Sequence, residues 1–126
     1  MIRVAVIALA LAIATPVEAK DCKGANRTLC AFAAKHRLNV ISGYRPGATI
    51  RRTGRPSLHR YRRAIDVRRS RRSPRWGVIM RDARRRGLGI GVYCRRSGFL
   101  HRHFSMGRPE AGKTFYRGCR VRRAGR

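Results

Sequence analysis

Apolar residues recur along this chain at several distinct spacings. Leu29, Phe32, Ala33 and His36 fall three and four residues apart, which predicts a helix over Thr28 to Arg37 with Thr28 as its cap. Trp76, Ile79, Met80 and Ala83 form a second stripe. It predicts a helix that starts at Ser73-Pro74, runs to Arg86 and is stopped by Gly87. Other stretches read as strands. Leu38 to Tyr44 is one. Ala64 to Arg68 is a second, with Ile65 and Val67 facing one way and Asp66 the other. Leu88 to Cys94 and Phe99 to Phe104 predict two more, joined by Arg95 to Gly98, a hairpin-length loop. Pro46-Gly47 opens a loop that runs through Gly54-Arg55-Pro56, and Arg69 to Arg75 is a basic loop. The tail from Met106 is rich in Gly and Arg. Strand pairs beside helices, without a βαβ rhythm, predict an α+β fold: a small antiparallel sheet with flanking helices.

The N-terminus follows a different rule. Met1-Ile2-Arg3 is a short positive start, and Val4 to Ala14 is an apolar run of eleven residues. Pro16 breaks the run, and Val17-Glu18-Ala19 offers small residues for cleavage. This is the pattern of a secretory signal peptide over residues 1–19, since a bilayer span needs about 20 apolar residues. One domain, residues 20–126, is expected to remain, periplasmic or secreted and monomeric. Cys22, Cys30, Cys94 and Cys119 are an even set in a small exported chain, so two disulfides are expected. Cys22–Cys30 and Cys94–Cys119 is the favoured pairing of the three, because the first two lie close together. No C-x-x-C spacing suggests a zinc finger.

Charge adds a second layer. Of the 126 residues, 32 are Lys or Arg and 5 are Asp or Glu, for a formal net charge of +27. Arg outnumbers Lys 28 to 4, a skew that GC-rich codon usage alone can produce. The surface nevertheless attracts polyanions in a salt-sensitive way. For an exported chain, anionic envelope polymers are nearer partners than nucleic acid, and no recognition-helix or stacking-aromatic pattern argues for a specific nucleic-acid module.

In so basic a chain the few acids stand out. After the signal peptide they are Asp21, Asp66, Asp82 and Glu110. Asp82 lies among Arg81, Arg84, Arg85 and Arg86, where a helix-face ion pair is expected. Asp66 admits two readings. It could pair with an arginine and hold the sheet, or it could bind a metal with His59. His101 and His103 are two apart on a predicted strand, so both leave one face. Two or three imidazoles and a carboxylate suit zinc. His36 and Trp76 read as structural. Tyr44 and Tyr93 are candidates for a cleft wall.

Ser57, His59, Ala64 and Asp66 spell S-x-H-x-x-x-x-A-x-D. This resembles the first metal motif of the zinc-dependent murein peptidases, the superfamily of D-alanyl-D-alanine carboxypeptidases and L-alanyl-D-glutamate endopeptidases, which shares its fold with Hedgehog signalling domains. Ile41 to Arg45 resembles that family's S-G-Y-R segment. Gly89 to Tyr93 and Ser97 to His101 resemble its G-x-G-x-Y and S-G-F-V-H block. The match runs from about Leu38 to Gly107. It implies zinc held by His59, Asp66 and His101, and an Arg45 that stabilises negative charge on the attacked carbonyl. It also implies hydrolysis of amide bonds in peptidoglycan stem peptides or cross-bridges.

Two departures alter that expectation. Arg62 stands where the family has Gly, a residue that often marks positive φ. The family's carboxylate base, three residues before the last ligand or two after it, is replaced by Gly98 and His103. His103 is therefore assigned as the general base. Some relatives use H-x-H with the second His on the metal and the first as base, so the roles of His101 and His103 are interchangeable at this level. Glu110 is the remaining carboxylate substitute. The alternative to catalysis is a non-catalytic basic envelope protein of the same fold that binds anionic cell-wall polymers.

Overall fold

The computed structural model describes residues 21–94 and 101–119. The expected signal peptide, the expected hairpin loop from Arg95 to Gly98, and Phe99 and Leu100 of the expected strand lie outside them. Helix α1 spans Arg27–Lys35 and is capped by Asn26, whose side-chain oxygen accepts from the Leu29 amide at 3.0 Å. The cap thus lies two residues before the expected Thr28. Helix α2 spans Trp76–Arg85 and has no side-chain cap. Ser73, the expected start, is instead occupied in the preceding loop: its hydroxyl donates to the Arg37 carbonyl at 2.8 Å and accepts from the Ser70 amide at 2.9 Å.

Five strands form one sheet: β1 Leu38–Ser42, β2 Ala64–Arg69, β3 Gly89–Tyr93, β4 His101–Ser105 and β5 Thr114–Arg117. Their order is β1-β2-β4-β3-β5. The α+β class holds, but the expected all-antiparallel sheet does not. The tail forms β5, which pairs parallel to β3, so the sheet is mixed. β5 is four residues long and its exposure alternates little, so no two-residue rhythm marks it.

The strand alternation divides the sheet into two faces. Ile65, Val67, Ile90, Val92 and Phe104 point to one, where Leu29, Phe32 and Ala33 of α1 and Ile79 and Ala83 of α2 complete the core. Phe32 meets Phe104 edge-on at 4.9 Å, which fastens α1 to the sheet centre. Burying one such ring is worth about 1.5–3 kcal/mol. Asp82 joins the two helices. Its carboxylate accepts from His36 at 2.7 Å and Lys35 at 3.1 Å, and from Arg86 one turn on at 3.2 Å. Burial opposes its ionisation, but these donors hold its pKa well below the usual carboxylate range.

Both expected disulfides are present. Cys22–Cys30 ties the N-terminal segment to α1, and Cys94–Cys119 ties the end of β3 to the residues after β5. Two disulfides point to an oxidising, extracytoplasmic compartment. No helix among the described residues is long and apolar enough to cross a membrane.

Candidate metal centre

The face opposite the helices carries the site. Register places Ser42, Asp66, His103, Gly91 and Phe115 side by side across all five strands. Directly opposed residues have Cβ atoms about 4.5–5.5 Å apart. Asp66 and His103 therefore meet, and the His103 Nδ1 lies 2.9 Å from Asp66 Oδ1. The third member arrives from a 3₁₀ turn, Leu58–Tyr61, whose cap Ser57 accepts from the His59 amide. That turn brings His59 Nε2 to 3.3 Å from Asp66 Oδ2.

Arg62 ends the turn at φ 60° and ψ 18°, the left-handed conformation that the family's glycine would adopt freely. Here an arginine adopts it. Its guanidinium lies 4.0 Å over the Tyr44 ring and donates to the Gly24 carbonyl at 2.9 Å, contacts that offset the strain.

His59, Asp66 and His103 each offer a ligand atom, and these atoms lie within 4.8 Å of one another. The group could hold a metal ion. Its donor set is suited to zinc, whose ligand bonds of about 2.0–2.2 Å place tetrahedral ligands roughly 3.3–3.6 Å apart. The remaining ring nitrogens are also engaged. His59 Nδ1–H donates to the Gly43 carbonyl at 2.7 Å, and His103 Nε2–H donates to Glu110 Oε2 at 2.9 Å. Both imidazoles are thus held with the opposite nitrogen facing Asp66, the outer-partner arrangement that orients histidine ligands. Gly43 is itself braced: a Cβ there would sit 2.6 Å from the Cys22 carbonyl and would also strike that of Lys23. The disulfide-anchored N-terminal segment therefore backs the acceptor of His59.

Electrostatics follow from this packing. Burial opposes the charge on Asp66, yet hydrogen bonds from His103 and His59 keep its pKa well below the carboxylate range. Burial acts to lower the His103 pKa, but Asp66 and Glu110 on either side outweigh it and push it up to about 9. Burial works against ionisation of Glu110 too, but the hydrogen bond and charge of His103, with the Ser105 hydroxyl, together lower its pKa. Ser105, two residues beyond His103 on the same face, donates to the same Glu110 oxygen. Among the described residues no ion pair joins Asp66 to an arginine, although the chain has 28 of them. The reading of Asp66 as an arginine counter-ion is set aside.

His101 and His103 leave the same face, as expected, but only His103 joins the group. The physical reason is register. Asp66 lies opposite His103, whereas His101 pairs with Tyr93 of β3 and stacks on its ring at 4.5 Å. The group that could hold a metal ion thus includes His103, expected as the base, in place of His101, expected as the third ligand. His101 still borders the same cleft of about 490 Å³, together with His59, Asp66, Tyr93 and Arg45. Tyr44, by contrast, packs under Arg62. Glu110 was visible as a spare acid, but its place on His103 was not. Nothing in the sequence marked the Gly43 carbonyl or the walls that β5 supplies, Phe115 and Arg117.

No family model, no curated protein and no solved structure matches the chain.

Proposed function

We propose that this chain is a secreted zinc peptidase of the murein-peptidase type, with the Hedgehog-like frame of that group, hydrolysing amide bonds in peptidoglycan peptides. One observation carries the reading: His59 and Asp66, close in sequence, meet the distant His103 in one cleft, with both imidazoles hydrogen-bonded from behind. His59 through Nε2, Asp66 through its carboxylate and His103 through Nδ1 would hold the zinc. The ion would supply Lewis acidity to a water and to the amide carbonyl.

The other steps fall to the chain's own groups. His101 borders the cleft with its ring orientation set by Tyr93, and it takes a proton from the attacking water and returns it to the departing amine. Arg45, held beside the turn by the hydrogen bond its backbone N–H donates to the His59 carbonyl at 3.1 Å, offers positive charge to the developing oxyanion. Glu110 acts through His103, fixing its tautomer.

The test uses the processed chain, residues 20–126, refolded with zinc. About one zinc per chain is expected, with chelator-sensitive release of new muropeptides from purified murein, read by mass spectrometry. His59→Ala and His103→Ala should lose zinc, whereas His101→Ala should keep zinc and lose turnover. Absence of bound zinc after zinc-replete refolding, or cleavage indifferent to chelator, would overturn the proposal.

A further inference from the structure

Four arginines border the cleft beside the candidate metal centre, and they come from two different parts of the chain. Arg45, Arg51 and Arg52 belong to the segment between β1 and the 3₁₀ turn, and Arg117 belongs to β5. Arg51 and Arg52 sit at the tip of a small hairpin-like loop. It is closed by the Thr49–Pro56 bridge and by the bond from the Ile50 amide to the Arg55 carbonyl at 2.7 Å. Arg117 is fixed separately, on β5. Its guanidinium lies 5.3 Å over the Phe115 ring, and that ring is 5.8 Å from the His103 ring. The Cys94–Cys119 bridge and the bond from the Cys94 amide to the Arg117 carbonyl at 2.8 Å anchor its backbone. The cleft's own acids do not neutralise these cations. Asp66 and Glu110 are both bonded to the central histidines.

We propose that Arg51 and Arg52 of the loop and Arg117 of β5 form two anion-recognition subsites flanking the reacting amide, so that the cleft selects peptides carrying free carboxylates on both sides of the bond and discriminates against their carboxamides. The inference rests on the peptidase reading for the identity of the central site, and it deepens it by naming the substrate's charge pattern. Guanidinium and carboxylate match as planar, two-toothed partners. An amide in the same place leaves a donor facing a donor. Long cationic side chains spread across a cleft also raise the local concentration of an anionic ligand before it docks.

The experiment measures binding and cleavage separately, on the zinc-loaded protein. The probes are two synthetic peptides of γ-linked glutamyl type, identical except that one has free carboxyl groups and the other has carboxamides. Isothermal titration is expected to show the free-carboxylate peptide binding about tenfold or more tighter, the scale of one charge-assisted hydrogen bond. Arg117→Gln, and separately the pair Arg51→Gln with Arg52→Gln, should each shrink that ratio while zinc content stays unchanged. The pair Arg84→Gln with Arg85→Gln, exposed on α2, removes the same charge away from the cleft and should leave the ratio as it was. Equal affinity for the two peptides, no binding of either, or an equal effect of the α2 pair would overturn the inference. Carboxylate preference without cleavage would sink the peptidase reading and keep the subsites. Cleavage indifferent to amidation would do the opposite.

Discussion

Glu110 gives the sharpest test of how the centre is held. It accepts from His103 Nε2–H at 2.9 Å and also from Ser105, and its side chain is 19% exposed. Replacing it by Ala removes one charge-assisted hydrogen bond from a nearly buried imidazole. Such a bond is worth about 1.5–3 kcal/mol. The loss of an outer partner typically weakens metal binding about 10–100-fold, the same scale in free energy. A second effect opposes it. In the metal-free protein His103 keeps its proton up to about pH 9, so at pH 7.5 a metal must displace a proton at a cost of about 2 kcal/mol. Without Glu110 that proton is held less firmly and the competition weakens. The expected result is a Glu110→Ala defect of less than about tenfold at pH 7.5, opening towards the full 10–100-fold range above pH 9. Glu110→Gln, which keeps an acceptor but not the charge, should fall between Ala and wild type. Zinc affinity is read by competition with a chromophoric chelator at both pH values, with near-ultraviolet circular dichroism as a folding control. Equal zinc affinity of wild type and Glu110→Ala at both pH values, with both folded, would refute the idea that Glu110 orients a ligand.

Two further outcomes follow from the same geometry. The metal-free protein should be most stable in a window of mild acidity. Asp66 and Asp82 have depressed folded pKa values, so their stabilisation is present above about pH 4 and is lost on further acidification; His103 is raised to about 9, so its contribution is full below about pH 6.5 and is lost as pH rises through 9. Thermal melts with chelator across pH 3–10 check this, and a midpoint that climbs steadily from pH 6.5 to 9 would contradict it. Gly91→Ala should destabilise by about 1–3 kcal/mol through overpacking, because a Cβ there would stand 2.7 Å from the Phe115 ring and 2.9 Å from His103 Cβ. Urea denaturation measures the cost, and a neutral result would mean that the Phe115 wall yields freely.

Much of the fold was legible in the chain because its signals are local. The three- and four-residue spacing of Leu29, Phe32 and Ala33 and of Trp76, Ile79 and Ala83 needs only helix geometry to interpret, and both helices formed. The alternation of Ile65, Asp66 and Val67 correctly sent the aspartate away from the core. His59, Asp66 and Arg45 border one cleft, the first two as the sequence pattern suggested and Arg45 as the resemblance implied, and the cysteines paired as their positions suggested. Less local features were missed. Strand β5 is short, and its partner β3 lies more than twenty residues earlier, so the pairing that makes it a strand is not written in its own residues.

The choice between His101 and His103 shows where the boundary falls. Alternation along one strand determined that both imidazoles leave the same face, and no more, because the two positions are equivalent under a two-residue repeat. Which of them meets Asp66 depends on how β4 slides against β2, a relation between segments some forty residues apart that only the packed sheet decides. The same holds for Glu110 and for the Gly43 carbonyl. Residue type makes each able to accept a hydrogen bond, but only tertiary structure carries it to the back of a particular histidine.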